Sequence, residues 1–405
     1  MSYDSKKIYH FHSKKRVAVI GCGRRARDLL SALRELAMGT ELCAVCDTQG
    51  EEVFAALREM GYQTDSIKLY QDADKMLDEE APDGVILGTR VDAHVMYAEK
   101  VLARNIPLLI EKPLCMTMDE LIALRDAYER SEKKVLVSFP LRHSPMSEFV
   151  RDVVASGQLG TIEHAHAFNY VPYGGVYFHN WYRATGFGGM FFEKSTHDMD
   201  NLNYVLGLQP TAVFSMVSQQ IFGGGKEPDQ LCCDCEKQES CMESPFMQKN
   251  FVLDEPAGDW CGFSSAVTSH DSSDTLIRYE SGMHASYTEN LFARKGAGAR
   301  GARLCGYHGT LDFDWCTNQV VVNMHHISRR DTYEFDAKAM AHFGGDKKLM
   351  YEFVHMMQGD EKILPTMEAG LISTLMCIAA RESAKTGTLQ PIAWADGKPV
   401  ARAPR

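Results

Sequence analysis

The stretch Arg16-Val-Ala-Val-Ile-Gly21-Cys-Gly23-Arg-Arg-Ala26 decides the fold. Val17 to Ile20 form an unbroken apolar run, the pattern of a short strand buried on both faces. A glycine turn follows, and then a helical run from Arg24 to Ala37. Gly21, Gly23 and Ala26 fill the three small positions of a dinucleotide-binding turn. The first permits the turn, the second lets backbone approach a pyrophosphate, and the third lets helix pack on strand. Free N–H groups at the helix start attract the anion. The next strand, Glu41 to Cys46, ends at Asp47. An acidic side chain there, about twenty residues past the turn, accepts hydrogen bonds from an adenosine ribose. The bland alternative is a Rossmann-like turn that binds nothing.

Outward from this turn, residues 16–140 alternate strand and helix signals. Strands are expected at Ile67 to Tyr70, Gly84 to Gly88, Pro107 to Ile110 and Val135 to Phe139. Helices are expected at Glu51 to Met60 and Asp72 to Glu79, from Asp92 as cap to Arg104, and from the capping box Thr117-Met-Asp-Glu120 to Ser131. Short connections of this kind mean a parallel sheet covered on both faces, with ligands beyond the carboxyl ends of its strands. Gly21, Asp47, Thr89 and Lys112 fall at such ends.

The pattern changes after Pro140. A helix from Met146 to Ser156 leads to alternating segments at Ile162 to Tyr170, Thr211 to Gln219, Ser264 to Ser269, Thr275 to Tyr279 and His284 to Asn290. Others follow at Ala302 to Gly306, Thr310 to Trp315 and Gln319 to His325. They suit a mostly antiparallel sheet. Helices are expected over Gly189 to Gly207, Lys347 to Met357 and Met367 to Thr386. The fold class is therefore α/β. A Rossmann dinucleotide-binding domain covers 1–140, an α/β domain with a mostly antiparallel sheet covers 141–390, and a loosely held tail covers 391–405.

Composition narrows the function. The chain has 405 residues, 45% of them hydrophobic, enough for two buried cores. A net charge of −11 argues against nucleic acid or an anionic membrane as partner. No apolar run approaches a membrane span, and Met1 to Lys15 lacks the apolar core of a signal peptide. Twelve cysteines spread through such a chain read as reduced thiols of a cytoplasmic enzyme.

The run Gly188-Gly-Met-Phe-Phe-Glu193-Lys194-Ser-Thr-His197-Asp-Met-Asp200 is the second informative stretch. In a helix, Glu193 and His197 lie one turn apart on one face. A carboxylate and an imidazole so placed bind a hydroxyl and move its proton. Lys112, at a strand end, supplies a cation for developing oxyanion charge. A Glu–His pair at this spacing is otherwise surface decoration.

Together these features resemble the Gfo/Idh/MocA oxidoreductases, named for glucose–fructose oxidoreductase, inositol dehydrogenase and a rhizopine-catabolism protein. The glycine turn, Asp47, His94, Glu111-Lys112-Pro113 and the run from Gly188 to Asp200 carry the resemblance, which spans residues 16–390. It implies a C-terminal domain with a large open sheet, NAD(P) bound between the domains, and a homodimer or homotetramer paired through that sheet. It implies a small-molecule substrate, a sugar, cyclitol or similar polyol oxidised or reduced at one carbon. By the resemblance Lys112 contacts substrate and nicotinamide, and His197 is the general acid–base. Glu193 stands where most members carry aspartate, and Thr89-Arg90 where many have Thr-Pro.

The expected catalytic residues are thus Lys112, His197 and Glu193. The expected cofactor-binding residues are Gly21, Gly23, Arg24, Arg25, Asp47, Thr89, His94, Glu111 and Lys112. Asp47 favours NAD(H), because a carboxylate repels a 2′-phosphate, while Arg24 and Arg25 leave NADP(H) open. Arg142, which with His143 follows the sixth strand, and His179, Trp181 and Arg183 are the expected substrate-binding residues. Planar donors and aromatic faces suit a polyol, and a packed aromatic loop is the alternative. Cys232, Cys233, Cys235 and Cys241 read as a thiol-bearing loop rather than a metal site. A zinc knuckle completed by Cys261 or His270 is the alternative. Two rival functions share the residues: a redox-neutral glycosidase with tightly held NAD, and a non-catalytic nucleotide-binding regulator.

Overall fold

The structure is a computed structural model describing residues 14–132, 134–184, 186, 188–248, 258–336, 341–359 and 366–397. Two compact units emerge. The first runs to Cys115, takes in Asp119–His143 and ends with Gly344–Met367; the second holds Met116–Met118, Ser144–Phe343 and the chain from Glu368 onward. Among the described residues, no helix is long and apolar enough to cross a membrane.

The chain opens with β1 (Lys15–Ile20), α1 (Arg24–Leu36), β2 (Thr40–Cys46), α2 (Gly50–Glu59), β3 (Lys68–Tyr70), α3 (Ala73–Glu80) and β4 (Gly84–Leu87). It continues with α4 (His94–Leu102), β5 (Leu108–Ile110), α5 (Met118–Glu129) and β6 (Val135–Val137). These strands form one parallel sheet in the order β3-β2-β1-β4-β5-β6. Val17 to Ile20 are buried, as a strand covered on both faces requires. α1 buries Ala26, Leu29, Leu30 and Leu33, the spacing of one helical stripe. The expectation of an Asp92 cap is corrected here. Val91–Ala93 make a 3₁₀ turn and the α-helix starts at His94, with Ala93 in the cap position.

In the second stretch come α6 (Pro145–Ala155), β7 (Ile162–Tyr170), α7 (Gly175–Phe178), a π-helical turn (Phe191–Ser195), α8 (Thr196–Leu206), β8 (Pro210–Ser218) and α9 (Pro245–Gln248). Then follow β9 (Ser272–Tyr279), β10 (His284–Asn290), β11 (Ala299–Gly306), β12 (Gly309–Asp314), β13 (Gln319–Met324) and β14 (Arg330–Glu334). The chain closes with α10 (Gly345–Met357), α11 (Met367–Thr386) and β15 (Gln390–Pro391). The second sheet runs β14-β13-β12-β11-β7-β10-β9-β8-β15, antiparallel except for the β7–β10 pair. Buried and exposed residues alternate along β9 and β10, so one face carries the core.

Three further expectations change. Ser264 to Ser269 is not a strand. Ser264 and Val267 donate their N–H groups to carbonyls three residues back, closing successive tight turns. The tail expected from 391 is anchored at its start, where Gln390 and Pro391 pair with Val213 and Ala212 and Ile392 is buried; 398–405 lie outside the described residues. The segment Gly344–Met367, expected in the second domain, belongs to the first unit. Leu349, Met350, Phe353 and Val354 of α10 share the apolar core of Leu29, Leu30 and Leu33, and each such side chain contributes about 1.5–3 kcal/mol of burial.

Candidate functional site

In the first unit, the glycine turn is built from backbone. Gly21 has φ +77°, and a Cβ on it would lie 2.6 Å from Thr89, so glycine is required by the protein itself. Gly23 differs. A Cβ there would meet nothing of the chain nearer than the Gly88 carbonyl oxygen at 4.0 Å. The space beside Gly23 is open at the start of α1, whose first turn holds no acidic residue. That open cradle at a helix N-terminus fits a pyrophosphate. Gly88 supplies the third close approach, since a Cβ on it would lie 2.8 Å from that of Ala26.

Asp47 stands at the end of β2. Its Oδ2 accepts the Cys22 N–H at 2.7 Å and its Oδ1 accepts the Gln49 N–H at 2.8 Å. Each carboxylate oxygen keeps a lone pair for a ribose hydroxyl. Arg24 is exposed at the helix start. His94 is buried with Nδ1 at 2.8 Å from the Pro113 carbonyl oxygen and Nε2 at 3.0 Å from that of Thr89. Burial holds this imidazole below its usual range, so a neutral ring donates to one of the two carbonyls. It ties the β4 end to the Glu111-Lys112-Pro113 turn.

Arg25 and Glu111, both expected at the cofactor, pair with each other. Arg25 donates from Nε to Glu111 at 2.9 Å, and from Nη2 and Nη1 to the two oxygens of Asp346 at 2.7 and 2.9 Å. Its guanidinium is thus tied to two carboxylates of the same unit, and Glu111 is one of them. Arg142 and His143 are buried in a 3₁₀ turn of this same unit.

In the second unit, the run from Gly188 does not enter an α-helix directly. Phe191–Ser195 form a π-helical turn, in which the Thr196 N–H bonds the Phe191 carbonyl five residues back. Such turns are rare and recur at functional sites. Glu193 is buried within it, and His197, partly exposed, follows in the first turn of α8. The residues beside this pair fasten it down.

Sequence reading missed those fasteners. Arg300, Asn169, Glu289 and Ser273 stand in register on four neighbouring strands, β11, β7, β10 and β9. Asp198 descends on that row. Its Oδ1 takes the Arg300 Nε–H at 2.7 Å, and its Oδ2 takes Asn169 at 2.6 Å and the Tyr287 hydroxyl at 2.9 Å. Ser195 donates to Glu289 at 2.9 Å. Burial, then the Asp198 charge, pushes the Glu289 carboxyl up to about 8. Buried Lys194 donates to the Tyr173 hydroxyl and lies 4.5 Å from its ring centroid. Burial opposes ionisation of Tyr173, but the charges of Lys194 and Arg300 outweigh it and hold the phenol below its ordinary range. The only local signal was the density of polar residues from Glu193 to Asp200.

Of the expected substrate residues in this unit, His179 turns Nδ1 to the Trp260 carbonyl at 2.6 Å, and Arg183 lies 4.1 Å over the Trp260 ring and bonds the Pro228 carbonyl. Trp181 stacks on Tyr182 at 3.7 Å. His179 and Arg183 thus tie the aromatic segment to Trp260 and Pro228, the residues flanking the cysteine loop. Burial pushes the Cys232 thiol up to about 12, which leaves it protonated. His270 packs on Phe191 with centroids 4.8 Å apart, and burial lowers it to about 4. Among the described residues no group of three His, Cys, Asp or Glu side chains is arranged to hold a metal.

Residues 15–139 match the profile described as oxidoreductase family, NAD-binding Rossmann fold, and residues 148–312 match the GFO/IDH/MocA C-terminal domain. YteT of Bacillus subtilis (strain 168) is 29% identical over 242 residues, 53% of this chain and 56% of that protein. D-apiose dehydrogenase of Paraburkholderia graminis is 31% identical over 144 residues, 36% of this chain and 37% of that protein. The chain thus spans about half the length, or less, of these curated relatives. A solved levoglucosan dehydrogenase, in complex with NADH and levoglucosan, superposes with a TM-score of 0.74 at 17% identity, covering 94% of this chain and all of that one. That likeness shows the fold.

Proposed function

The chain belongs to the Gfo/Idh/MocA oxidoreductase family, and we propose that it interconverts a hydroxyl and a carbonyl on a sugar, cyclitol or related polyol with NAD(H). The open space at Gly23, which the protein's own packing leaves unfilled, carries the nucleotide part of this reading. Gly21, Gly23, Arg24 and Asp47 would hold the cofactor, with Asp47 favouring NAD(H) over NADP(H). A bound nicotinamide supplies the hydride acceptor. His197 takes the hydroxyl proton, and Lys112 and Glu193 orient the oxygen and steady its developing charge. The relatives' names support a polyol substrate, the resemblance supports a homo-oligomer, and the dispersed free cysteines support a cytoplasmic setting.

The test presents a panel of sugars, cyclitols and polyols with NAD⁺ and, separately, NADP⁺, and follows nicotinamide absorbance. Reduction of NAD⁺ by at least one polyol is the expected result. Glycoside cleavage by protein that retains its nucleotide through desalting, with no net NADH, would turn the reading to the redox-neutral glycosidase. Nucleotide binding without turnover of any kind would leave only a regulator.

A further inference from the structure

The guanidinium of Arg25 joins four parts of the first unit. It belongs to the first turn of α1, beside the open cradle at Gly23. Its Nε bonds Glu111, the residue before Lys112. Its two terminal nitrogens grip both oxygens of Asp346 in the first turn of α10, and Nη2 also reaches Ser138 Oγ at 3.2 Å. Glu111 and Asp346 are buried, with side chains 7% and 5% exposed. Two buried carboxylates sharing one planar fork leave little freedom to any of the three, because an unmatched charge in that place is costly. The nucleotide turn and the lysine turn therefore share one fixed point. That point is gripped by a residue 321 positions away in sequence.

We propose that Arg25 and Asp346 are positioning residues for Lys112, acting through Glu111, so that the returning segment Gly344–Met367 sets the geometry of the lysine turn as well as completing the core. The proposal rests on the functional reading above for Lys112's role in the reaction. Arginine is needed at the fork. A lysine keeps the charge but offers a point donor that cannot span Glu111 and both oxygens of Asp346. A displaced Lys112 would cost turnover rather than nucleotide binding, since a shift near one ångström at a catalytic group costs about a hundredfold.

The experiment compares wild type with Asp346→Asn, Asp346→Glu and Arg25→Lys. Glu80→Gln serves as control, because Glu80 is a buried carboxylate of the same unit that pairs with Arg16 and Lys68 and is held down to about 2 chiefly by its Lys68 and Tyr70 hydrogen bonds. Four quantities are read: the melt, NAD(H) affinity, kcat against KM, and the rate at which an amine reagent labels Lys112 in ligand-free protein. Asp346→Asn and Arg25→Lys should lower kcat by about tenfold to a hundredfold and speed Lys112 labelling, with NAD(H) affinity within about threefold of wild type. Asp346→Glu should recover part of kcat. Glu80→Gln should lower the melt and leave kcat and labelling alone. Unchanged kcat and labelling in Asp346→Asn, with only the melt lowered, would overturn the positioning role. Loss confined to NADP(H) affinity in Arg25→Lys would overturn it too, by giving Arg25 to a phosphate. Lys112 labelling needs no substrate, so wild type that oxidises no polyol would count against the functional reading while labelling still decides the clamp.

Discussion

The glycine turn of the first unit and the π-helical turn of the second are both built to present polar groups, and they do so by opposite means. The glycine turn works with backbone. Gly21, Gly23 and Gly88 shape it by lacking side chains, and Asp47 is fixed by neighbouring N–H groups. The π-helical turn works with side chains. Ser195 and Asp198 are fastened to strand residues 94 and 102 positions away and Lys194 to Tyr173, with Glu193 and His197 beside them. A site made of backbone leaves its mark in the sequence as missing side chains. A site made of side-chain pairs is encoded by the whole sheet beneath it.

The sharpest way to break this comparison is at the presented side chain. His197→Ala should lower kcat by about a hundred- to ten-thousandfold and leave NAD(H) affinity nearly intact, as steady-state kinetics and nucleotide titration would show. A kinetically normal variant would remove α8 from the reaction. Next in size is the fastening. Asp198→Asn leaves Arg300 buried beside a neutral amide, and breaking a buried pair typically costs about 3–5 kcal/mol. Denaturant unfolding should report a loss of that order, and a loss under about 1 kcal/mol would show that the row of strand residues does not hold the turn.

The glycines sharpen the other half. Gly23→Ala should weaken NAD(H) by about tenfold or more with the melt unchanged, because only a ligand needs that space. Gly21→Ala should lower the melt, from a strained φ and the clash with Thr89. Equal melts for the two would deny the distinction between a glycine the fold needs and one the ligand needs. A pH-dependent contrast concerns Glu289. Its folded carboxyl is raised to about 8, above the unfolded value near 4.3, so the folded state holds the proton more tightly. That stability is fully present below about pH 4 and is lost as pH rises toward 8. Glu289→Gln, which cannot ionise, should melt close to wild type at low pH and above it at alkaline pH. A constant gap between the two melts would contradict the raised carboxyl.

These contrasts also explain what the sequence made legible. The parallel sheet, the glycine turn, Asp47 and the Glu111-Lys112-Pro113 turn were readable, because apolar runs and missing side chains leave a local trace. β14 left none, since Arg330–Glu334 is mostly exposed and shows no alternation. Ser264 to Ser269 alternated in sequence but closed into turns. α10 was visible as a helix, yet its apolar stripe does not say which core it fills. The grip of Arg25 on Asp346 was hidden, because Asp346 lies 321 residues on. Asp198 and Arg300 lie 102 residues apart, on a helix and on β11, so no local pattern pairs them.

The most direct test of the chemistry is stoichiometry. Wild-type protein is mixed with NAD⁺ and whichever polyol it accepts, and NADH and the new carbonyl are counted over the same interval. One NADH per carbonyl, with both signals lost together in His197→Ala, is the expected result. Substrate consumed with no NADH formed would contradict net oxidation by hydride transfer.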